Sequence, residues 1–165
     1  MNIILIGMPG CGKTMVGTAL AQQLQREFYD ADIVLEEREG KTIPELFAIS
    51  EEAFRQAETR TLRYLATKEN AIIATGGGAV TRPINMTLLG ATGKSFYLNR
   101  ELADIIADVD TTTRPLLQEG KQKMYRLYEE RKQLYEHYAD YQVGQNGDFG
   151  SIVPEIIAIL EEEKL

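Results

Sequence analysis

Residues 7–14 have the sequence Gly-Met-Pro-Gly-Cys-Gly-Lys-Thr and directly follow a short apolar run. The octapeptide fits the pattern G-x-x-x-x-G-K-[ST], in which glycines let the backbone turn its N–H groups toward phosphate oxygens. Residues 2–6 lack polar alternation, which is typical of a strand buried on both faces of a parallel sheet. Residues 14–24 carry apolar side chains at helical spacing. The sequence therefore predicts a strand, a phosphate-binding loop and a helix in succession.

The phosphate-loop pattern predicts chemical roles for its last two residues. We expect Lys13 to bridge the β- and γ-phosphates of ATP and Thr14 to bind Mg²⁺ through its hydroxyl. Cys11 leaves two interpretations open: a small residue tolerated in a tight turn, which we favour, or a reactive thiol at a helix amino end. The predicted nucleotide-binding residues of the loop are Gly7, Met8, Pro9, Gly10, Cys11, Gly12, Lys13 and Thr14.

Strands and helices alternate along the rest of the chain. Further buried strands are predicted at 71–75 and 95–98, with a weaker one at 141–143. Helices are predicted at 33–39, 43–48, 51–68, 80–90, 101–108, 121–138 and 152–163. This order indicates an α/β fold whose ligands bind beyond the carboxyl ends of parallel strands. Residues 111–120 lack either periodicity, so we expect a mobile loop or lid there.

Length and charge exclude several classes of protein. A chain of 165 residues favours one domain, 1–165, and its net charge of −7 argues against a nucleic-acid binder. Residues 111–135 nevertheless carry six basic and three acidic residues, a local +3 against −10 elsewhere. No apolar run approaches the roughly 18 residues that a membrane span needs. We expect a cytoplasmic monomer that binds no membrane.

Several segments beyond the loop resemble the shikimate kinase family in order and spacing. They are Phe28-Tyr-Asp-Ala-Asp32, Glu36, Gly40, Ile43, Phe47, Glu51-Glu-Ala-Phe-Arg-Gln-Ala-Glu58, Gly76-Gly-Gly78, Arg114-Pro-Leu-Leu117, Arg131, Tyr135 and Asp140. The resemblance implies a three-layer P-loop kinase fold, with a five-stranded parallel sheet and helices on both faces. It also implies a substrate-binding segment at 31–60, a lid at 110–121, and ATP-dependent phosphorylation of the shikimate 3-hydroxyl in aromatic amino-acid biosynthesis.

The same resemblance gives roles to two carboxylates and a lid arginine. Asp30 would assist the Mg²⁺ shell, while Asp32 would hold the acceptor hydroxyl and take its proton. Carboxylates two residues apart at the end of a short strand point to different sides, so they can serve different partners. Arg114 would cover the phosphates and, with Lys13 and Asp32, form the catalytic set.

An acceptor that carries a carboxylate calls for arginine, whose planar fork pairs with it in a bidentate manner. By resemblance, Arg55 and Arg131 fill that role, and the backbone of Gly76, Gly77 and Gly78 lets the substrate approach closely. Glu58, three residues after Arg55, shares its helix face and is expected to orient the guanidinium.

The chain departs from the family pattern at two places that matter for ligands. The family commonly has a basic residue that stacks on adenine within the helix preceding the lid, whereas this chain has Asp108 and Asp110 in that region. Thr75 stands where a second magnesium carboxylate is usual. Two alternatives stay open: a kinase of another small hydroxy-acid such as gluconate, and a nucleotide-binding module without turnover.

Overall fold

Five parallel strands form one sheet in the order β2-β3-β1-β4-β5. In this computed structural model, which describes residues 1–112 and 118–165, every residue of the central strand β1 is buried, as the apolar run predicts. The strands are β1 Asn2–Ile6, β2 Phe28–Asp30, β3 Ile72–Ala74, β4 Gly93–Leu98 and β5 Tyr141–Val143. The carboxyl ends of β1, β2 and β3 therefore meet at one edge of the sheet.

Helices connect the strands and cover the sheet. They are α1 Lys13–Leu24, α2 Ala31–Glu39, α3 Ile43–Ile49, α4 Glu51–Leu65, α5 Pro83–Gly90, α6 Leu102–Thr112, α7 Gln118–Tyr138 and α8 Ile152–Glu163. The predicted fold class is confirmed. The helix predicted at 80–90 begins instead at Pro83, after a short 3₁₀ turn, because proline lacks an N–H and fits only the first turn of a helix.

The helices on either side of the predicted lid at 110–121 are longer than the sequence predicts, while the lid itself stays a prediction. Helix α6 continues to Thr112 and α7 begins at Gln118, so both helices extend into the aperiodic stretch. Threonine and glycine cost a helix only about 1 kcal/mol or less per residue, and an established helix tolerates them. The predicted lid residue Arg114 lies outside the described residues.

A small second core organises the segment at 31–60. Leu35, Leu46, Phe54 and Ala57 pack together, away from the main core between sheet and helices. Ser50 ends α3 and caps α4, where its Oγ accepts from the N–H of Ala53 at 2.9 Å. This cap fixes where α4 begins and thus where its charged residues project.

A helix capable of crossing a membrane would need a long apolar stretch. Residues 1–112 and 118–165 contain no such helix.

Candidate active site

The phosphate loop, residues 7–14, links β1 to α1. Gly10 and Gly12 have φ values of 77° and 101°, which residues with a Cβ rarely adopt. The buried ammonium of Lys13 donates to the carbonyls of Gly7 and Met8 at 2.9 Å each. The loop therefore has the backbone turn that its sequence predicts, and its lysine lies against it.

The buried position of Cys11 decides between the two interpretations of this residue. Its side chain is fully buried, and its Sγ lies 3.6 Å from the Lys13 Nζ. A thiol needs partial exposure to act as a reactive group. The structure thus favours a small residue packed in a tight turn.

Thr14, Asp30 and Asp32 form a connected group at the ends of β1 and β2. The Thr14 hydroxyl donates to Asp30 Oδ2 at 2.7 Å, and Asp30 Oδ1 accepts from the N–H of Asp32 at 3.0 Å. Asp30 ends β2 and caps α2, whereas Asp32 already belongs to the first turn of α2. The change from strand to helix, rather than strand alternation, therefore separates the two carboxylates, and their predicted service to different partners stays a prediction.

The environment of Asp32 makes it a better base than an ordinary carboxylate. Burial raises the pKa of Asp32, and the nearby charge of Asp30 raises it further, while Lys13 and Arg55 oppose this shift. A base whose pKa is nearer to the working pH takes a proton more readily.

Arg55 and Glu58 form a partly buried ion pair on α4. The Arg55 guanidinium donates to Glu58 Oε1 at 3.0 Å, which confirms the predicted contact. Glu58 is only 3% exposed, and burial raises its pKa against the opposing charge of Arg55. Within the described part of the chain its Oε2 has no hydrogen-bond partner. Glu58 thus holds one side of the guanidinium, and Glu51 Oε1 lies 3.8 Å from the Arg55 Nε.

Residues 76–78, the triglycine, pass so close to these groups that side chains would not fit. A Cβ added at Gly76 would lie 2.9 Å from Glu58 Oε2 and 3.1 Å from Asp32 Oδ1. A Cβ at Gly77 would lie 2.7 Å from the ring of Pro9, and one at Gly78 would overlap the Arg55 guanidinium. The triglycine therefore lies directly against these protein groups, and the predicted close approach of the substrate stays a prediction.

Three neighbouring cavities surround the phosphate loop. The central cavity, about 310 Å³, contains the loop together with Asp30, Asp32 and Thr75. It shares Asp32, Gly76 and Gly77 with the arginine cavity of about 440 Å³. On its other side it shares loop residues and Met15 with the apolar cavity of about 740 Å³. The site is therefore a row of three compartments with the phosphate loop in the middle.

The arginine cavity brings together residues from α2, α3, α4, α7 and the triglycine. Arg55 and Arg131, which are 76 positions apart in the sequence, both line it. Phe47 and Phe54 also line it, and their rings stack at 4.4 Å between centroids. Two guanidinium groups beside an aromatic wall suit a small carbocyclic or sugar acid.

Tyr135 is a site residue whose position the sequence does not reveal. Its hydroxyl donates to the Gly77 carbonyl at 2.6 Å and lies 3.9 Å from Met8 Sδ. The ring is fully buried and stacks on Tyr97 at 5.1 Å. The one sequence feature that could have placed Tyr135 at the site is its position one helical turn after Arg131. That spacing is just as typical of a tyrosine packed in the core.

The apolar cavity contains two further residues that sequence reasoning missed. Arg100 and Phe149 line it, with the Arg100 guanidinium 4.7 Å from the centre of the Phe149 ring. Arg100 comes just after β4, and ligands of parallel sheets bind beyond such strand ends. Phe149 carries no comparable signal.

Comparison with known proteins assigns this site to a family. The shikimate kinase family model matches residues 9–161. The chain belongs to the shikimate kinase family. A shikimate kinase from Clostridium beijerinckii is 40% identical over 96% of this chain and 94% of its own length. The solved shikimate kinase from Acinetobacter baumannii in complex with shikimate is 34% identical, with a TM-score of 0.89 over 99% of this chain and 94% of that one.

Membership in the shikimate kinase family answers the question of the acceptor. The chain is an ATP-dependent phosphotransferase that phosphorylates a hydroxyl group of shikimate. A gluconokinase from Sinorhizobium meliloti is also similar, over 98% of this chain and 91% of its own, with a TM-score of 0.62. At 19% identity that likeness shows the fold alone.

The oxygen atoms of Thr14 and Asp30 fit Mg²⁺, the metal that the shikimate kinase family implies. Mg²⁺ prefers hard oxygen ligands and is held mostly by substrate phosphates, water and one or two carboxylates. Thr14 and Asp30 supply a hydroxyl and a carboxylate that are already in contact beside the phosphate loop. Across residues 1–112 and 118–165, no group of three or more His, Cys, Asp or Glu side chains forms a metal cage.

Proposed function

We propose that Asp32 is the residue at which phosphoryl donor and acceptor meet. The observation that carries this proposal is its place in both the central and the arginine cavity. Lys13 and Thr14 lie on one side of it and Arg55 and Arg131 on the other. An acceptor bound in the arginine cavity then presents its hydroxyl to Asp32 and to a phosphate in the central cavity.

Asp32 holds the 3-hydroxyl of shikimate and accepts its proton during transfer. The hydroxyl oxygen forms a bond to the γ-phosphorus while the bond between that phosphorus and the bridging oxygen of ADP breaks. The bridging electron pair leaves with ADP, and the hydroxyl proton moves to a carboxylate oxygen of Asp32. The raised pKa of Asp32 supports this role.

Positive groups stabilise the charge that develops on the phosphoryl oxygens. Lys13, held against the phosphate loop, lies where it can reach the β- and γ-phosphates. Arg114 is the second cation of this proposal, on the sequence pattern alone. Thr14 and Asp30 would hold Mg²⁺, which would supply neutralisation of the negative charge on the phosphates.

Arg55 and Arg131 bind the carboxylate of shikimate. Arg55 lines the arginine cavity, and its contact of 3.0 Å with Glu58 restricts the orientation of the guanidinium. The triglycine brings backbone next to the same cavity, and Phe47 with Phe54 covers the carbon ring. The apolar cavity receives the adenine of ATP on the opposite side of the phosphate loop.

The chain acts as a single-domain monomer in this proposal, since the phosphate loop, Asp32, Arg55 and Arg131 all come from one chain. The use of ATP and of a polar metabolite supports a cytoplasmic location. Light scattering after size exclusion tests the monomer.

A coupled ADP-release assay tests the proposed function. Shikimate, gluconate, nucleoside monophosphates and no acceptor are compared at equal enzyme and MgATP concentrations. ADP release is expected with shikimate, and phosphorus NMR of the product should place the phosphate on the 3-hydroxyl. Turnover with gluconate alone would contradict the proposal, and a lack of turnover with every acceptor would favour a binding module.

A further inference from the structure

Arg100 is a buried arginine that phosphoryl transfer, as described above, does not use. It is 8% exposed and follows the carboxyl end of β4. A buried guanidinium must satisfy its donors within the protein, since leaving them unpaired is costly. The groups that contact the Arg100 guanidinium therefore indicate which parts of the protein this residue connects.

Three contacts join Arg100 to separate parts of the apolar cavity. One guanidinium nitrogen donates to the carbonyl of Cys11 in the phosphate loop at 3.2 Å. Another donates to Asp108 Oδ2 on α6 at 2.5 Å. The guanidinium carbon, Cζ, also lies 4.7 Å from the centre of the Phe149 ring. Arg100 thus connects the loop, the helix and the aromatic residue.

The same parts also contact one another without Arg100. A Cβ at Gly12 would lie 2.7 Å from Phe149 Cζ, so this ring packs directly on the phosphate loop. A Cβ at Gly10 would lie 2.6 Å from Val109 Cγ2, which brings α6 onto the same loop. Arg100 therefore contacts three parts of the apolar cavity's lining, namely the phosphate loop, α6 and Phe149, and the loop in turn contacts both α6 and Phe149.

We infer that Arg100 is a positioning residue for the nucleotide, acting through Phe149, Asp108 and the Cys11 carbonyl. It fixes the ring and the helix that line the apolar cavity relative to the loop that binds the phosphates. A nucleotide that spans the two cavities needs both walls in register. In this arrangement Asp108 holds the Arg100 guanidinium in place through the ion pair between them.

This inference rests on the proposed placement of adenine in the apolar cavity, and binding measurements test it without turnover. Calorimetry with ADP and, separately, with shikimate is performed on the wild type, Arg100→Met and Arg100→Lys. Methionine keeps the apolar stem but removes the hydrogen bonds, and lysine keeps the charge without the fork that reaches two partners. Arg100→Met is expected to bind ADP about 10-fold more weakly, with Arg100→Lys intermediate and shikimate affinity unchanged in both.

Arg60→Met is the matched control. Arg60 pairs with Glu39 through two contacts of 3.0 Å but lies on the surface and lines none of the three cavities. Its ADP affinity should equal that of the wild type. Equal ADP affinity in Arg100→Met and wild type would overturn the inference, as would a matching loss of shikimate affinity, which would indicate general loosening.

A double-mutant cycle tests whether Arg100 acts through Phe149. Phe149→Leu keeps an apolar side chain but removes the ring face that the guanidinium covers. If the two residues act as a unit, the loss of ADP affinity in the double variant is clearly smaller than the sum of the losses, in free energy, in the two single variants. Full additivity would overturn the coupling. If the wild type binds ADP but does not phosphorylate shikimate, the proposed function fails while these measurements still decide the role of Arg100.

Discussion

The arginine cavity and the apolar cavity lie on opposite sides of one phosphate loop but are built in different ways. The arginine cavity is lined by charged groups that constrain each other, with Glu58 holding Arg55 and the triglycine pressed against both. The apolar cavity is lined mainly by apolar side chains, with one buried arginine joining its walls. Charged groups define the proposed acceptor side, whereas packing defines the proposed nucleotide side. Substitutions should therefore affect the two ligands separately.

The largest effect is expected at Asp32, which belongs to both the central and the arginine cavity. Asp32→Asn keeps the shape of the side chain but cannot accept the hydroxyl proton, so kcat should fall about 100- to 10,000-fold. ADP affinity should stay within about twofold of the wild type, because Lys13 and the loop are unchanged. Steady-state kinetics and calorimetry measure the two quantities. Near-normal kcat would show that Asp32 is not the base.

A smaller and more selective effect is expected at Arg131. Arg131→Ala removes charge-assisted hydrogen bonds to the carboxylate of shikimate, which raises KM for shikimate about 10- to 100-fold. KM for ATP should not change, since Arg131 lines only the arginine cavity among the three. Arg126→Ala, an exposed arginine on the same helix, is the control. A parallel rise in KM for ATP would contradict the separation of the two sides.

Tyr135 tests the region between the arginine cavity and the phosphate loop, since it contacts both Gly77 and Met8. Tyr135→Phe removes the hydroxyl that holds the Gly77 carbonyl at 2.6 Å beside Met8 of the phosphate loop. Because this contact joins α7 to the triglycine between the arginine cavity and the phosphate loop, we expect kcat to fall about 3- to 10-fold. The fraction of ATP hydrolysed by water instead of transferred to shikimate should rise, as phosphate release would report. Tyr141→Phe removes the same atom from a tyrosine stacked on Phe96 and should leave both values unchanged.

The difference between the two sides also explains what the sequence could predict. Glycines, arginines and carboxylates with chemical roles leave a pattern in the sequence, so the loop, Asp30, Asp32, Arg55 and the triglycine could be placed. Arg100 and Phe149 could not, because their pairing joins positions 49 residues apart and depends on packing. In the fold, β2 has three half-buried residues and gave no strand signal by itself. The helices extend to Thr112 and back to Gln118 because weak local preferences do not end an established helix.

The smallest expected effect concerns stability and links the charge of Asp32 to pH. Because the pKa of Asp32 is raised in the folded protein, the folded state binds more protons than the unfolded state between the ordinary and the raised pKa. Stability contributed by this residue is therefore present below its ordinary pKa and is lost as the pH rises through the raised value. Asp32→Asn, which removes the buried charge beside Asp30, should raise the unfolding temperature at neutral pH although it abolishes most activity. The advantage should shrink as the pH falls through the raised pKa of Asp32, because the wild-type carboxyl then becomes protonated in the folded state, and thermal unfolding measured as a function of pH tests this. An advantage that is independent of pH would mean that the charge of Asp32 is not its source.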